Sequence, residues 1–206
     1  MIDTLENNDI LITSNTSTAP HEILTKIITD VLAIQSSLIA TRETANSKEG
    51  FLISLFNAEE LMSIIQKGGR LIIAEYKTSE TGKQTVGYLL MTPIAEFTDL
   101  LSNKSEHSAH GRFTPSFEFD FANHEYLYQI GVSKEMKGHR VGRRLLEYVL
   151  KNATSGILTD ILVEPVSNDI SLQFFYKHDF LDAGLLELGE YRSFGQLKSK
   201  VLIWSK

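Results

Sequence analysis

Lys137-Gly138-His139-Arg140-Val141-Gly142-Arg143-Arg144-Leu145-Leu146 is the stretch on which the reading of this chain turns. Four cationic side chains (Lys137, Arg140, Arg143, Arg144) and two glycines stand together there, with no carboxylate among them. Upstream, Tyr126-Leu127-Tyr128-Gln129-Ile130-Gly131-Val132 has the aromatic and β-branched content of a strand. Downstream, Val141, Leu145, Leu146, Val149 and Leu150 recur at helical spacing. The stretch is therefore a turn from strand to helix. A glycine-bearing turn that opens a helix presents backbone N–H groups and the positive end of the helix dipole. Anions bind at such places, phosphates above all.

This local basicity sits in an acidic chain: 206 residues with net charge -6. An acidic balance argues against general nucleic-acid binding and favours a small anionic ligand at the basic turn. The length allows one large domain or two small ones with a full core. With 42% hydrophobic and 22% charged residues, the composition is that of an ordinary globular protein. The absence of cysteine excludes disulfides and thiolate metal sites and fits a cytoplasmic protein. The start, Met-Ile-Asp-Thr-Leu-Glu, lacks a signal-peptide pattern, and no apolar run approaches the ~20 residues that span a bilayer. His107 and His110 have the spacing of a metal pair, but no further ligand is marked, so no metal is expected.

Working outward, residues 1–19 read as a loose polar arm. Pro20 suits a helix start, and Leu24, Ile27, Ile28, Val31, Leu32, Gln35 and Leu38 make 21–41 an amphipathic helix. A second helix follows Asn57, whose spacing to Glu60 is that of a capping box, and Gly68-Gly69 stops it. Leu71 to Ala74 and Thr85 to Met91 read as a hairpin around a turn at 77–83. Residues 95–125 are the least regular, with Phe117 to Phe121 alternating like a strand edge or a lid. Ile157 to Val163 is an apolar central strand, Asn168 to His178 a helix, and Phe180 to Leu188 and Leu197 to Trp204 the final strands. No linker cuts 50–206 in two, so 20–206 is expected as a single domain.

With these residues in view, the chain resembles the GNAT superfamily of acyl-CoA-dependent N-acyltransferases. The resemblance covers roughly 51–204 in element order and is most specific over 126–180. The family signature, Arg or Gln, two residues, Gly, one residue, Gly or Ala, matches Lys137-Gly138-His139-Arg140-Val141-Gly142. Lys137 stands for the Arg or Gln and Arg140 for the first glycine. A second match is Glu164-Pro165-Val166-Ser167-Asn168 followed by a helix ending in Asp179-Phe180, for the family's Gly-Phe. The resemblance implies an α/β GNAT fold, a mixed sheet of about six to seven strands flanked by helices. Here it would carry an extra N-terminal helix.

The implied function is N-acetyl transfer from acetyl-CoA to a primary amine of a small molecule or peptide. The implied cofactor-binding residues are Ile130 and Val132 by their backbone and the turn Lys137, Gly138, His139, Arg140, Val141, Gly142 and Arg143. Asn168 and Phe175 would join them from the second match. The family's thiolate-protonating tyrosine aligns with Phe175, which has no proton to give, and Tyr176 is one residue late. Candidate catalytic residues are Tyr176 as acid and Glu164 and Glu125 as base.

Plainer readings stand beside these. Arg143 and Arg144 are also what a solvated helix face carries, Asn168 what caps a helix, and Phe174, Phe175 and Phe180 what fills a core. Glu118 and Asp120 suit either a cationic amine or a solvated strand edge. The alternative function is a non-catalytic GNAT-fold module that binds an acyl-CoA or a protein. A third reading has the 21–41 helix mediating assembly, for example into a homodimer.

Overall fold

The computed structural model describes residues 10–46, 48–78, 82–97, 112–118, 120 and 123–206. Eight strands and four helices occur among them. In chain order they are β1 (Ile10–Asn15), α1 (His21–Leu38), α2 (Ala58–Gln66), β2 (Arg70–Thr78) and β3 (Gly82–Pro93). There follow β4 (Arg112–Pro115), β5 (His124–Val132), α3 (Val141–Asn152), β6 (Gly156–Glu164), α4 (Asp169–Tyr176), β7 (Leu181–Tyr191) and β8 (Gly195–Trp204). The strands hydrogen-bond in the order β1-β2-β3-β5-β6-β8-β7-β4. The β5–β6 pair is parallel and β1–β2, β2–β3, β6–β8, β7–β8 and β4–β7 are antiparallel, so the sheet is mixed as expected. Among the described residues, no helix is long and apolar enough to cross a membrane.

Packing groups the chain into two units, each assembled from three stretches. The first takes 10–38, 54–92 and 128–152. In it α1 buries Leu24, Ile27, Ile28, Val31 and Ile34, and α2 buries Leu61 and Ile65, against Leu71 and Ile73 of β2 and Tyr88 and Leu90 of β3. The apolar stripe expected of 21–41 packs on this core, and the helix ends at Leu38. The capping box at Asn57 is formed from both sides, Glu60 N–H to Asn57 Oδ1 at 2.9 Å and Asn57 N–H to Glu60 Oε2 at 2.8 Å. Because alternate residues face opposite ways on a strand, Gly87 looks away from α1, toward α3. A Cβ at Gly87 would come within 2.9 Å of Val141 Cγ1 and 3.3 Å of Leu145 Cδ1, so α3 lies directly on bare backbone there.

β1 corrects the expectation of a loose arm. Residues 10–15 pair with β2 from Ile10↔Tyr76 to Asn15↔Leu71. Arg144 donates to the Ile10 carbonyl at 2.6 Å. A short edge strand needs one partner only, and polar flanks hide it in the sequence; residues 1–9 lie outside the described ones.

The second unit takes the described parts of 39–53, 93–127 and 153–206. Its sheet buries Phe113, Tyr126, Leu158, Ala183, Leu186, Val201 and Ile203 in one cluster and Leu162, Phe194 and Leu197 in another. Among the described residues, the irregular region holds the strand Arg112–Pro115, paired with β7. Phe117, Glu118 and Asp120 fall outside any strand. Residues 119 and 121, and His107 and His110, lie outside the described residues. Edge strands β1 and β4 account for a sheet of eight where six to seven were expected.

Candidate functional site

The basic turn belongs to the first unit. After β5, Lys134–Met136 make a short 3-10 turn, closed by Lys137 N–H to the Lys134 carbonyl at 3.2 Å and His139 N–H to Met136 at 3.2 Å. The chain then turns through Gly138 at φ 87 and Arg140 at φ 58. Arg140 therefore adopts the left-handed backbone that a glycine adopts freely, at a cost of about 1–2 kcal/mol for a residue with a Cβ. The first helical N–H to find a carbonyl is that of Arg144, bonded to Arg140 at 3.0 Å. The N–H groups of Gly138, Arg140, Val141, Gly142 and Arg143 have no partner among the described residues.

The four cations separate into two kinds. Lys137 and Arg140 are exposed and engage no protein group among the described residues. Arg143 bonds Glu147 at 2.7 Å one turn along α3, and Arg144 turns inward to β1. Charge at the turn thus rests mainly on Lys137 and Arg140. Val141 is buried and contributes its backbone only, while His139 and Gly142 are half-buried.

The preceding strand alternates the direction of its backbone groups. Ser133 N–H bonds the Val86 carbonyl of β3 at 2.9 Å. By the two-residue period, Gly131 and Gln129 also address β3, and Ile130 and Val132 direct N–H and C=O to the opposite edge. The β5–β6 ladder comprises His124↔Gly156, Glu125↔Ile157 and Tyr126↔Leu158, and stops before those residues.

The other expected site residues belong to the second unit. Asn168 is 7% exposed and its side chain does not cap α4. Its Nδ2 donates to the Phe51 carbonyl at 3.0 Å, and its Oδ1 is buried without a partner. Phe175 is 0% exposed and meets Phe174 and Phe180 edge to face at 5.2 and 5.0 Å. It is core, with no surface to offer a cofactor. α4 is regular through Tyr176, so no one-residue adjustment brings Tyr176 to Phe175's place. The Tyr176 hydroxyl donates instead to Asp182 at 2.5 Å and lies 3.3 Å from Lys200 Nζ, which bonds Asp182 at 3.0 Å. Burial and the bond to Asp182 push the Tyr176 hydroxyl up, so it keeps its proton and points it at Asp182 in a hydrogen bond. Glu164 is exposed and pairs with Lys198 at 3.2 Å. Glu125 is half-buried within the β5–β6 ladder.

Two buried polar groupings carry no local sequence signal. In the second unit, Tyr126 donates a short hydrogen bond to Asp160. Burial pushes the Asp160 carboxyl above its ordinary range, against the pull of hydrogen bonds with Tyr126 and Ser199. In the first, the Tyr88 hydroxyl donates to Gln129 at 2.5 Å. Both join residues more than thirty positions apart, and so no spacing rule finds them.

No protein-family model matches the sequence, and no curated protein matches it. Solved structures match its fold. NAA60 of Arabidopsis thaliana, in complex with acetyl-CoA, aligns with a TM-score of 0.61 at 12% identity over 95% of this chain and 98% of that one. The ribosomal-protein-S18-alanine N-acetyltransferase of Escherichia coli gives 0.58 at 9% identity over 95% and 93%. A protein assigned to the GNAT family from Desulfovibrio desulfuricans gives 0.51 at 14% over 95% and 99%. The chain has the GNAT fold.

Proposed function

We propose that the protein is an N-acetyltransferase that moves an acetyl group from acetyl-CoA to a primary amine. One observation carries the reading: the N–H groups at 138 and 140–143 lie open at the start of α3, with Lys137 and Arg140 exposed beside them. Oriented amides and fixed cations fit a pyrophosphate. Ile130 and Val132, with backbone groups directed away from β3, suit the amides of the pantetheine arm and the thioester oxygen. An N–H aimed at the developing oxyanion lowers the barrier by preorganised electrostatics.

In the reaction the neutral amine attacks the thioester carbonyl. The C–N bond forms, the C–S bond breaks, the electron pair leaves on sulfur, and the amine's extra proton passes to a base. Water is the proposed acceptor of that proton, since Glu164 is paired with Lys198. No acid is assigned. A thiol titrates near pH 8.5, so the thiolate leaves tolerably unaided, and absence of an acid lowers the rate by roughly 10²–10⁴-fold without abolishing it. A cytoplasmic location is part of this proposal, and a cysteine-free composition suits it.

Release of free thiol from acetyl-CoA, measured across a panel of primary amines, tests the reading. Amine-dependent release is expected. Phe175 in the core and Tyr176 bound to Asp182 favour one second reading, a module that binds acyl-CoA without turnover. Binding with no release for any amine would select it.

A further inference from the structure

The first unit carries another built surface, next to the donor strand. Segment 54–56, which leads into α2, is pinned by two buried amides. Gln129 on β5 accepts from the Tyr88 hydroxyl at 2.5 Å and donates its Nε2 to the Ser54 carbonyl at 3.2 Å. Gln35 on α1 accepts the Phe56 N–H at 3.0 Å. Gln35 is 0% exposed, Gln129 6%, and the Nε2 of Gln35 has no hydrogen-bond partner. Burying amides against an apolar cluster is costly, and leaving one donor unmet more so. Leucine at either position would avoid that cost. What the amides supply is position: they fix the backbone on both sides of Leu55.

The pinned segment is apolar and open. Leu55 is 38% exposed and Tyr128 39%. The Phe56 ring meets the Tyr128 ring edge to face, with centroids 4.8 Å apart at 77°. Single exposed hydrophobics are ordinary. Here exposed Leu55 precedes a half-buried Phe56 whose ring pairs with exposed Tyr128, on a backbone held by buried hydrogen bonds. Tyr128 shares its side of β5 with Ile130 and Val132 and precedes Ile130 by about 7 Å along the strand. Glu59 and Glu60 follow in the first turn of α2, an acidic approach for an ammonium group.

We propose that Leu55, Phe56 and Tyr128 form the wall of the acceptor subsite, and that the acceptor is a primary amine bearing an aromatic ring. The ring belongs either to a free arylalkylamine or to the first residue of a peptide. Gln129 and Gln35 are positioning residues that hold the wall. The inference rests on the acetyltransferase reading, and its test is arranged so that the two fail separately.

Calorimetry on CoA-saturated protein compares 2-phenylethylamine, phenylalanyl-glycinamide and ethanolamine. A ring-bearing amine is expected to bind at least tenfold more tightly than ethanolamine, and whichever of the two wins names the source. Tyr128→Ala should weaken the ring-bearing amine about three- to tenfold, the scale of a ring–ring contact, and leave ethanolamine and CoA unchanged. Gln129→Leu should raise KM for the ring-bearing amine with kcat for ethanolamine unaltered; an equal change for both amines would make Gln129 a merely structural residue and overturn its role. Equal affinity for all amines, or a preference that survives Tyr128→Ala, overturns the wall. Failure of CoA to bind would overturn the acetyltransferase reading instead, and the same amine titrations on the free protein still decide the wall.

Discussion

β5 runs into α3 and β6 runs into α4 through strand-to-helix junctions of similar build, and each departs from the GNAT pattern. At the first, Arg140 replaces glycine, yet the backbone still takes φ 58 and the N–H groups stay open. At the second, Phe175 stands where the resemblance implies a tyrosine and is closed into the core, while the neighbouring hydroxyl of Tyr176 is held by Asp182. The proposed pyrophosphate site rests on backbone atoms, whose conformation survives a change of side chain at the cost of strain. The implied acid of the second junction rests on one terminal oxygen and does not survive a one-residue displacement. Charge follows the same division: Lys137 and Arg140 are exposed and unengaged, whereas Glu164 and Lys198 neutralise each other.

The largest effect expected is at the closed junction. Phe175→Ala should cost about 3–5 kcal/mol in denaturant unfolding, as for a fully buried aromatic. Phe175→Tyr should lower Tm, because its hydroxyl enters apolar surroundings, and should give no gain in kcat. A tenfold rise in kcat would break the comparison by returning position 175 to the site.

The open junction is sharpened next. Gly87→Ala places a methyl 2.9 Å from the stiff Val141 side chain and 3.1 Å from the Gly131 carbonyl. A loss of about 1–3 kcal/mol in stability is expected, together with weaker CoA binding as the start of α3 shifts. Stability lost with CoA affinity intact would separate α3 placement from the donor turn.

Asp160 gives a pH test in the second unit. Its folded carboxyl holds its proton above the ordinary value of 3.8, through burial. The group's contribution to stability is therefore complete below that value and declines as pH rises through the raised folded value. Asp160→Asn should flatten that decline in thermal melts and raise Tm relative to the parent at alkaline more than at acid pH. An unchanged slope would mean Asp160 is ionised in the fold.

The smallest effect belongs to Tyr176→Phe. Asp182 and Lys200 remain paired at 3.0 Å without the hydroxyl, so stability should change by no more than about 0.5–1 kcal/mol and amine-dependent thiol release not at all. A hundredfold fall in kcat would restore Tyr176 as the acid.

Much of the first junction was legible in the sequence because its signals are local. Glycine, cations and the 141–150 periodicity fall within one turn and the helix it opens, as does the Asn57 capping box. What escaped was set at a distance. β1 exists because β2 offers an edge, and β4 because β7 does. Asn168 looked like a cap, but Phe51, far away in sequence, takes its amide. Arg144 looked like a member of the anion site, but Ile10 takes its guanidinium. The buried amides Gln35 and Gln129 read as ordinary polar residues until the fold enclosed them.

Calorimetric titration with acetyl-CoA tests the central claim most directly, comparing the parent with Arg140→Glu and Arg140→Gly. Saturable binding is expected, weakened about tenfold or more by Arg140→Glu, since a charge-assisted bond is worth roughly 1.5–3 kcal/mol. Arg140→Gly should weaken it less while raising stability by about 1 kcal/mol, as the left-handed strain is relieved. Absence of binding at millimolar acetyl-CoA, or equal affinity in all three proteins, would contradict the donor turn.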